Sequence, residues 1–179
     1  DDAPALAVLL GQTLAEEGYS VLMLEMDGDR PSLRKYLGVS GRVDVADCLE
    51  DNSRLPYAIL RTATPNLNLI DCCHDGETIR KAVSSARCRT FIQDALAIYD
   101  YVILNAPPAS FGNGAAAVGC AADQTVLVAR DDRYTTKELN GIALNLRQRA
   151  VGLSGLVFVG VKKRQLRAVY KADGKAYQS

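Results

Sequence analysis

The chain has no excess charge of either sign: 21 lysines and arginines face 21 aspartates and glutamates, for a formal net charge of zero over 179 residues. That balance removes any bulk electrostatic case for nucleic acid or an anionic membrane as partner. No apolar run approaches the roughly 18–20 residues of a membrane span, and no secretory signal pattern is visible at the start. Histidine occurs once, at His74, and no serine or cysteine can be paired with it from sequence, which disfavours a hydrolase triad. Cys72-Cys73-His74 lacks a second ligand pair, so it reads as a loop with buried thiols and no metal site is expected. The five cysteines are odd in number and have no framework spacing, which fits reduced thiols in a cytoplasmic protein. There is no internal repeat, low-complexity segment or linker.

What is present is a regular alternation of apolar runs and amphipathic stretches, with 48% hydrophobic residues, enough for one domain with a sizeable core. Helices are expected over 6–17, 32–37, 43–50, 77–83, 85–98, 115–122 and 135–150, and a polar loop after 50. Strands are expected over 21–25, 67–71, 101–104, 125–129 and 156–161. Alternating strands and helices predict an α/β fold, a mostly parallel sheet with helices on both faces. Such sheets bind ligands at the carboxyl ends of their strands, here after Glu25, Leu104 and Ala129. Residues 1–163 read as one domain, and 164–179 as a mobile basic tail. The first helix starts almost at residue 1 with no strand ahead of it. The expectation is therefore that a central first strand is missing from this sequence, leaving two strand edges unpaired.

Three segments carry a family resemblance in order and spacing. V-L-M-L-E-M-D-G-D-R-P-S-L-R-K-Y-L-G (21–38) resembles the Walker A′ segment of bacterial tyrosine kinases (BY-kinases). S-S-A-R-C-R-T-F-I-Q-D-A-L-A-I-Y-D-Y-V-I-L-N-A-P-P (84–108) resembles their Walker B region with its preceding helix. V-L-V-A-R-D-D-R-Y-T-T (126–136) resembles the next strand and its Arg–Thr turn, which brings Arg130 into the nucleotide-site set. The resemblance implies the Mrp/MinD-type P-loop NTPase fold and a role in exopolysaccharide and capsule export. It also implies a Mg-ATP site and a tyrosine-rich C-terminal tail phosphorylated between subunits.

This sequence departs from that pattern where the chemistry is concentrated. Counting back from L-A-E-E-G (14–18), the phosphate-loop lysine falls on Ala3 and the metal-binding hydroxyl on Pro4 or Ala5. The loop reads D-D-A-P-A. Asp2 is expected to cap the first helix, with Pro4 near its first position, and Asp1 and Asp2 put negative charge where polyphosphate would sit. Asn105 replaces the Walker B aspartate, although its amide oxygen could still hold a metal-bound water. Glu25 replaces the A′ aspartate with a longer carboxylate, and Val159 stands where many relatives read adenine with asparagine. Asp27 and Arg30 match the pattern; the alternative for them is a plain turn with a surface ion pair. The tail offers only Tyr170 and Tyr177 as phosphorylation candidates.

Phosphoryl transfer depends on positioning and on neutralisation by lysine and metal. The resulting expectation is a degenerate kinase-like domain without a cofactor, regulatory or structural in exopolysaccharide biosynthesis and export. It would be cytoplasmic and peripheral at the inner membrane through a partner. That partner would be a membrane-embedded polysaccharide chain-length regulator or a related kinase subunit, with a homo-oligomer also open. The alternatives are an active Mg-ATP-dependent tyrosine autokinase or ATPase with an atypical site, and a MinD/ParA-like positioning protein.

Overall fold

The V-L-M-L-E run forms β1 (Val21–Glu25), buried along its whole length. Successive side chains of a strand point to opposite faces, so an uninterrupted apolar run needs cover on both. In the computed structural model, which describes residues 2–110 and 113–161, that cover is present. Leu22 and Leu24 pack on one side with Met26, Ile70, Ile79 and Phe91. Val21 and Met23 pack on the other with Val8, Leu33, Leu67 and Leu69.

β1 lies between β3 (Leu67–Ile70) and β4 (Tyr101–Asn105), parallel to both, with Val21 opposite Leu67 and Tyr101 and Glu25 opposite Asn105. A two-residue strand, β2 (Leu60–Arg61), adds antiparallel to β3 and completes the order β2-β3-β1-β4. β5 (Thr125–Arg130) and β6 (Leu153–Val159) form a separate parallel pair. The expected unpaired edges are therefore found: among the described residues β4 pairs only with β1, and β5 only with β6.

Helix α1 (Ala3–Glu16) lies against β1, β3 and β4 on the Val21/Met23 side. It ends through Gly18, whose φ of +97° suits a residue without Cβ. α2 (Leu33–Leu37) follows the loop after β1 and stops at Gly38 in the left-handed region. α3 (Val45–Glu50), α5 (Gly76–Val83) and α6 (Ala86–Leu96) cover the Leu22/Leu24 side. α7 (Gly114–Ala121) leads into β5, and α8 (Thr136–Gln148) connects β5 to β6. A Thr135–Glu138 capping box starts α8.

Two differences from the sequence reading have physical causes. The segment after Glu50 is not only loop: it holds a 3-10 turn at Asn52–Arg54, then α4 (Leu55–Ala58) and β2. These pieces are too short to show a period, and β2 exists because β3 supplies its partners. β6 begins three residues before the expected Leu156. Its Gly155 sits opposite Val126, and an irregularity at Thr125/Val126 sets the register. The tail, with Tyr170 and Tyr177, lies outside the described residues.

Candidate functional site

Glu25 ends β1 as a fully buried carboxylate. Its Oε1 accepts from the Asp27 N–H at 3.1 Å and from Asn105 Nδ2 at 2.7 Å. Its Oε2 accepts from the N–H groups of Ser32 at 2.8 Å and Leu33 at 3.0 Å. Burial pushes the Glu25 carboxyl above its ordinary range, and these donors pull against that shift. Asn105, its register partner on β4, is also buried. Only the NH₂ end of an amide can donate to a carboxylate, so this contact orients Asn105. The sequence left the amide oxygen open to a metal-bound water; the fold turns the amide nitrogen onto Glu25. The Ser32 hydroxyl oxygen nearby is buried without a partner.

Asp27 is buried and its Oδ1 accepts from the Arg30 N–H at 3.1 Å, so this carboxylate closes the turn that carries Arg30, itself exposed. The turn is held from outside. Asp29 pairs with Arg80 of α5 at 3.1 Å. A Cβ on Gly28 would stand 2.8–2.9 Å from the Asp75 carbonyl carbon and oxygen, and one on Gly76 would collide with the Asp29 carboxylate. Loop 27–30 and the start of α5 are therefore in backbone contact.

At the start of α1, Ala3 and Ala5 occupy the first turn and Pro4 is buried. Asp2 stands at the cap position but does not cap: its backbone is helical (φ −96°, ψ −13°) and its side chain makes no capping bond. Its Oδ2 instead accepts from Arg130 Nη1 at 3.1 Å, and Arg130 Nε donates to Asp132 at 3.1 Å. The expected negative charge is thus present but met by Arg130. Val159, opposite Arg130 in the β5–β6 register, has its carbonyl bonded to the Asp131 N–H at 3.1 Å. The fold thereby gathers Glu25, Asp27 and Asn105 in one polar group, and Asp2, Arg130 and Val159 in another.

Sequence reading missed a third group. Asp44 lies within the helix expected over 43–50, but in the fold it caps α3, with a capping box to Asp47. Its Oδ1 accepts from the Ala46 and Asp47 N–H groups, and its Oδ2 from the Cys73 N–H, the His74 N–H and His74 Nδ1, the last at 2.7 Å. Burial pushes the Asp44 carboxyl up, but the His74 ring and these amides outweigh it and hold it below the ordinary range. The bond to Asp44 raises His74 in turn. The D-x-x-D spacing at 44–47 was the available signal. Asp44, Asp47 and His74 could offer atoms to a cation within 4.8 Å of one another, but Asp44 is already committed to these donors. Of the neighbouring thiols only Cys72 is buried; Cys73 is exposed. Burial pushes Cys72 up to about 12, the range of an inert thiol.

No protein-family model matches the chain. Tyrosine-protein kinase etk of Escherichia coli strain K12 is 26% identical over 155 residues, which cover 87% of this chain and 21% of the relative. The chain thus spans about a fifth of the length of the curated relatives it matches. The solved BceF tyrosine kinase domain is 27% identical with a TM-score of 0.78, over 88% of this chain and 63% of that one. The kinase domain of Escherichia coli ETK is 25% identical with a TM-score of 0.80, over 88% and 62%. MinD of Pyrococcus horikoshii, solved with Mg-ADP, shares the fold at 20% identity and a TM-score of 0.73, over 90% and 67%.

Proposed function

We propose that this chain, whose relatives are bacterial tyrosine kinases with the MinD-type P-loop NTPase fold, is a catalytically degenerate kinase-like domain. It acts as a regulatory or structural component of exopolysaccharide biosynthesis and export. The observation that carries this reading is the 2.7 Å bond from Asn105 to the buried Glu25 carboxylate. Two carboxylates at these adjacent strand ends would need a cation or a proton between them. An amide facing a carboxylate needs neither.

The remaining residues support the same reading. A Mg-nucleotide asks for a lysine, a hydroxyl and carboxylate oxygens free to ligate. This site offers Ala3, Pro4 and Ala5, and a Glu25 whose two oxygens are engaged by four N–H groups. These residues do not fit the group, and Asp2 brings a further negative charge to the helix start. The partner is a membrane-embedded chain-length regulator or a related kinase subunit, met at the cytoplasmic face. The retained Asp27 and Arg30 favour the rival reading, an active autokinase.

Titration with Mg-ATP under calorimetry and thermal unfolding tests the proposal. The expected result is no heat and no shift at millimolar nucleotide. Binding that stabilises by about 2.7 kcal/mol at a hundred times the dissociation constant, with phosphate appearing on Tyr170 or Tyr177, overturns it in favour of the kinase.

A further inference from the structure

We infer that the surface at the amino ends of β1 and β4 is a docking face for the basic segment 162–175 of a second copy of the chain. The face lies where α1 and α6 lead into these strands. Tyr19, Leu96, Ile98 and Tyr101 stand there between 40% and 63% exposed, and the Tyr19 and Tyr101 rings meet edge to face at 5.2 Å. The two entering segments are locked together. The Ser20 N–H and hydroxyl donate to Asp100 Oδ2 at 2.8 and 2.7 Å, and the Asp100 and Tyr101 N–H groups donate to the Ser20 carbonyl at 2.9 and 3.2 Å. An apolar face already fixed in place loses little freedom on binding.

The charge of the face has one sign. A helix C-terminus favours cations, and the last turns of α2, α5 and α8 carry them. The last turns of α1 and α6, the helices that end at this face, carry none. Glu16 and Glu17 close α1 instead, and Asp94 lies in the last turn of α6. Asp100 adds a carboxyl that its Ser20 donors hold below the ordinary range. No lysine or arginine occurs in 1–29 or in 90–129, although the whole chain is neutral. Arg61 of β2 is separated from β1 by β3. Such a face selects a cationic, partly apolar partner. Segment 162–175, which lies outside the described residues, has that chemistry. Lys162, Lys163, Arg164, Arg167, Lys171 and Lys175 stand against Asp173 alone, and Leu166, Val169 and Tyr170 follow the i, i+3, i+4 spacing of one helix face.

Reach assigns the segment to a second copy. Arg130 pairs with Asp2 at 3.1 Å and lies opposite Val159, so β6 ends beside the start of α1. The docking face lies at the other end of that helix, about 21 Å away for 14 residues at about 1.5 Å each. The stretch from Val161 to Leu166 spans at most about 18 Å, before any sideways passage from β6 to β1. The face and the Glu25–Asn105 contact are at opposite ends of β1. This inference therefore depends neither on nucleotide binding nor on phosphoryl transfer.

Sedimentation velocity of the full chain from micromolar to submillimolar concentration tests the docking, with amide exchange read at 96–101. Two charge reversals are compared with the unaltered chain: Glu16→Lys with Glu17→Lys on the face, and Arg164→Glu with Arg167→Glu on the segment. All four side chains lie outside the core, and circular dichroism checks that both variants fold. The expected result is concentration-dependent association of the unaltered chain, weakened at least about tenfold in either variant alone. Mixing the two variants should recover it, because the intact face of one then meets the intact segment of the other. Ile98→Ser should weaken it as well. An unaltered chain that stays monomeric throughout, or variants that associate as it does, overturns the docking. Failure of the mixture to recover association overturns the pairing of this face with this segment. Protection of 96–101 that is independent of concentration, and lost in the segment variant, overturns the second copy in favour of the chain's own tail.

Discussion

Replacing Asn105 by aspartate converts the 2.7 Å donor contact to Glu25 into two facing carboxylates in a buried site. Two unit charges about 3 Å apart repel by about 5.5 kcal/mol at an effective dielectric constant near 20. The protein can avoid that by holding one proton between the pair, which then makes an O–H···O bond. Keeping a glutamate with an ordinary value of 4.5 protonated at pH 7 costs about 3.4 kcal/mol, at about 1.4 kcal/mol per pH unit. The cheaper route sets the ceiling, and because burial already raises Glu25 the true cost is smaller. Asn105→Asp is therefore expected to lose about 2–3 kcal/mol at pH 7 without divalent cations. The sign follows from a folded pKa above the unfolded one. Stability is full below the unfolded value near 4.5 and is lost as pH rises through the folded value. The deficit should shrink by about 1.4 kcal/mol per unit as pH falls toward 5. Urea unfolding of both proteins at pH 5 and pH 7 measures it. An equal deficit at the two pH values, or none at pH 7, would refute the view that the Asn105 amide satisfies the Glu25 carboxylate by donating to it.

Three further outcomes follow from the same geometry. Ala3→Lys combined with Asn105→Asp should not by itself give ATP binding by calorimetry, because Asp2 and Pro4 still flank position 3; tight binding would count against the proposed degeneracy. Gly28→Ala must displace the Asp75 backbone, so it should destabilise by about 1–3 kcal/mol in urea; a loss under about 0.5 kcal/mol would mean that loop 27–30 is not pinned. His74→Gln removes a bond that raises the histidine, so its loss should be greatest below the unfolded value of 6.5 and fade as pH rises through the raised one. The ring is partly exposed, so the effect should stay under about 1 kcal/mol, and identical losses at pH 5.5 and pH 8.5 would count against it.

Much of the architecture was legible because the signals were local. The five-residue run at 21–25 needs cover on both faces whatever surrounds it, and Gly18 and Gly38 mark helix ends through their own backbone preference. The short elements between Asn52 and Arg61 were not, because four- and two-residue pieces have no period and borrow their stability from β3. Asp44 was hidden for a different reason: its donors at Cys73 and His74 lie about thirty residues away.

The sequence by itself determined which side chains stand at these positions: a glutamate at 25, an asparagine at 105, and Ala3, Pro4 and Ala5 at the start of α1. Those are covalent facts, independent of folding. Only the tertiary structure decided what the atoms do to each other. Glu25 and Asn105 are 80 residues apart and meet because β1 and β4 are in register, which turns the amide nitrogen onto the carboxylate. Asp2 had the composition of a helix cap, yet it bonds Arg130, 128 residues away, because a cationic partner in reach outcompetes a backbone N–H for a carboxylate. Hydrogen bonds and ion pairs are short-ranged, so which of them form depends on distances in space that no spacing along the chain encodes.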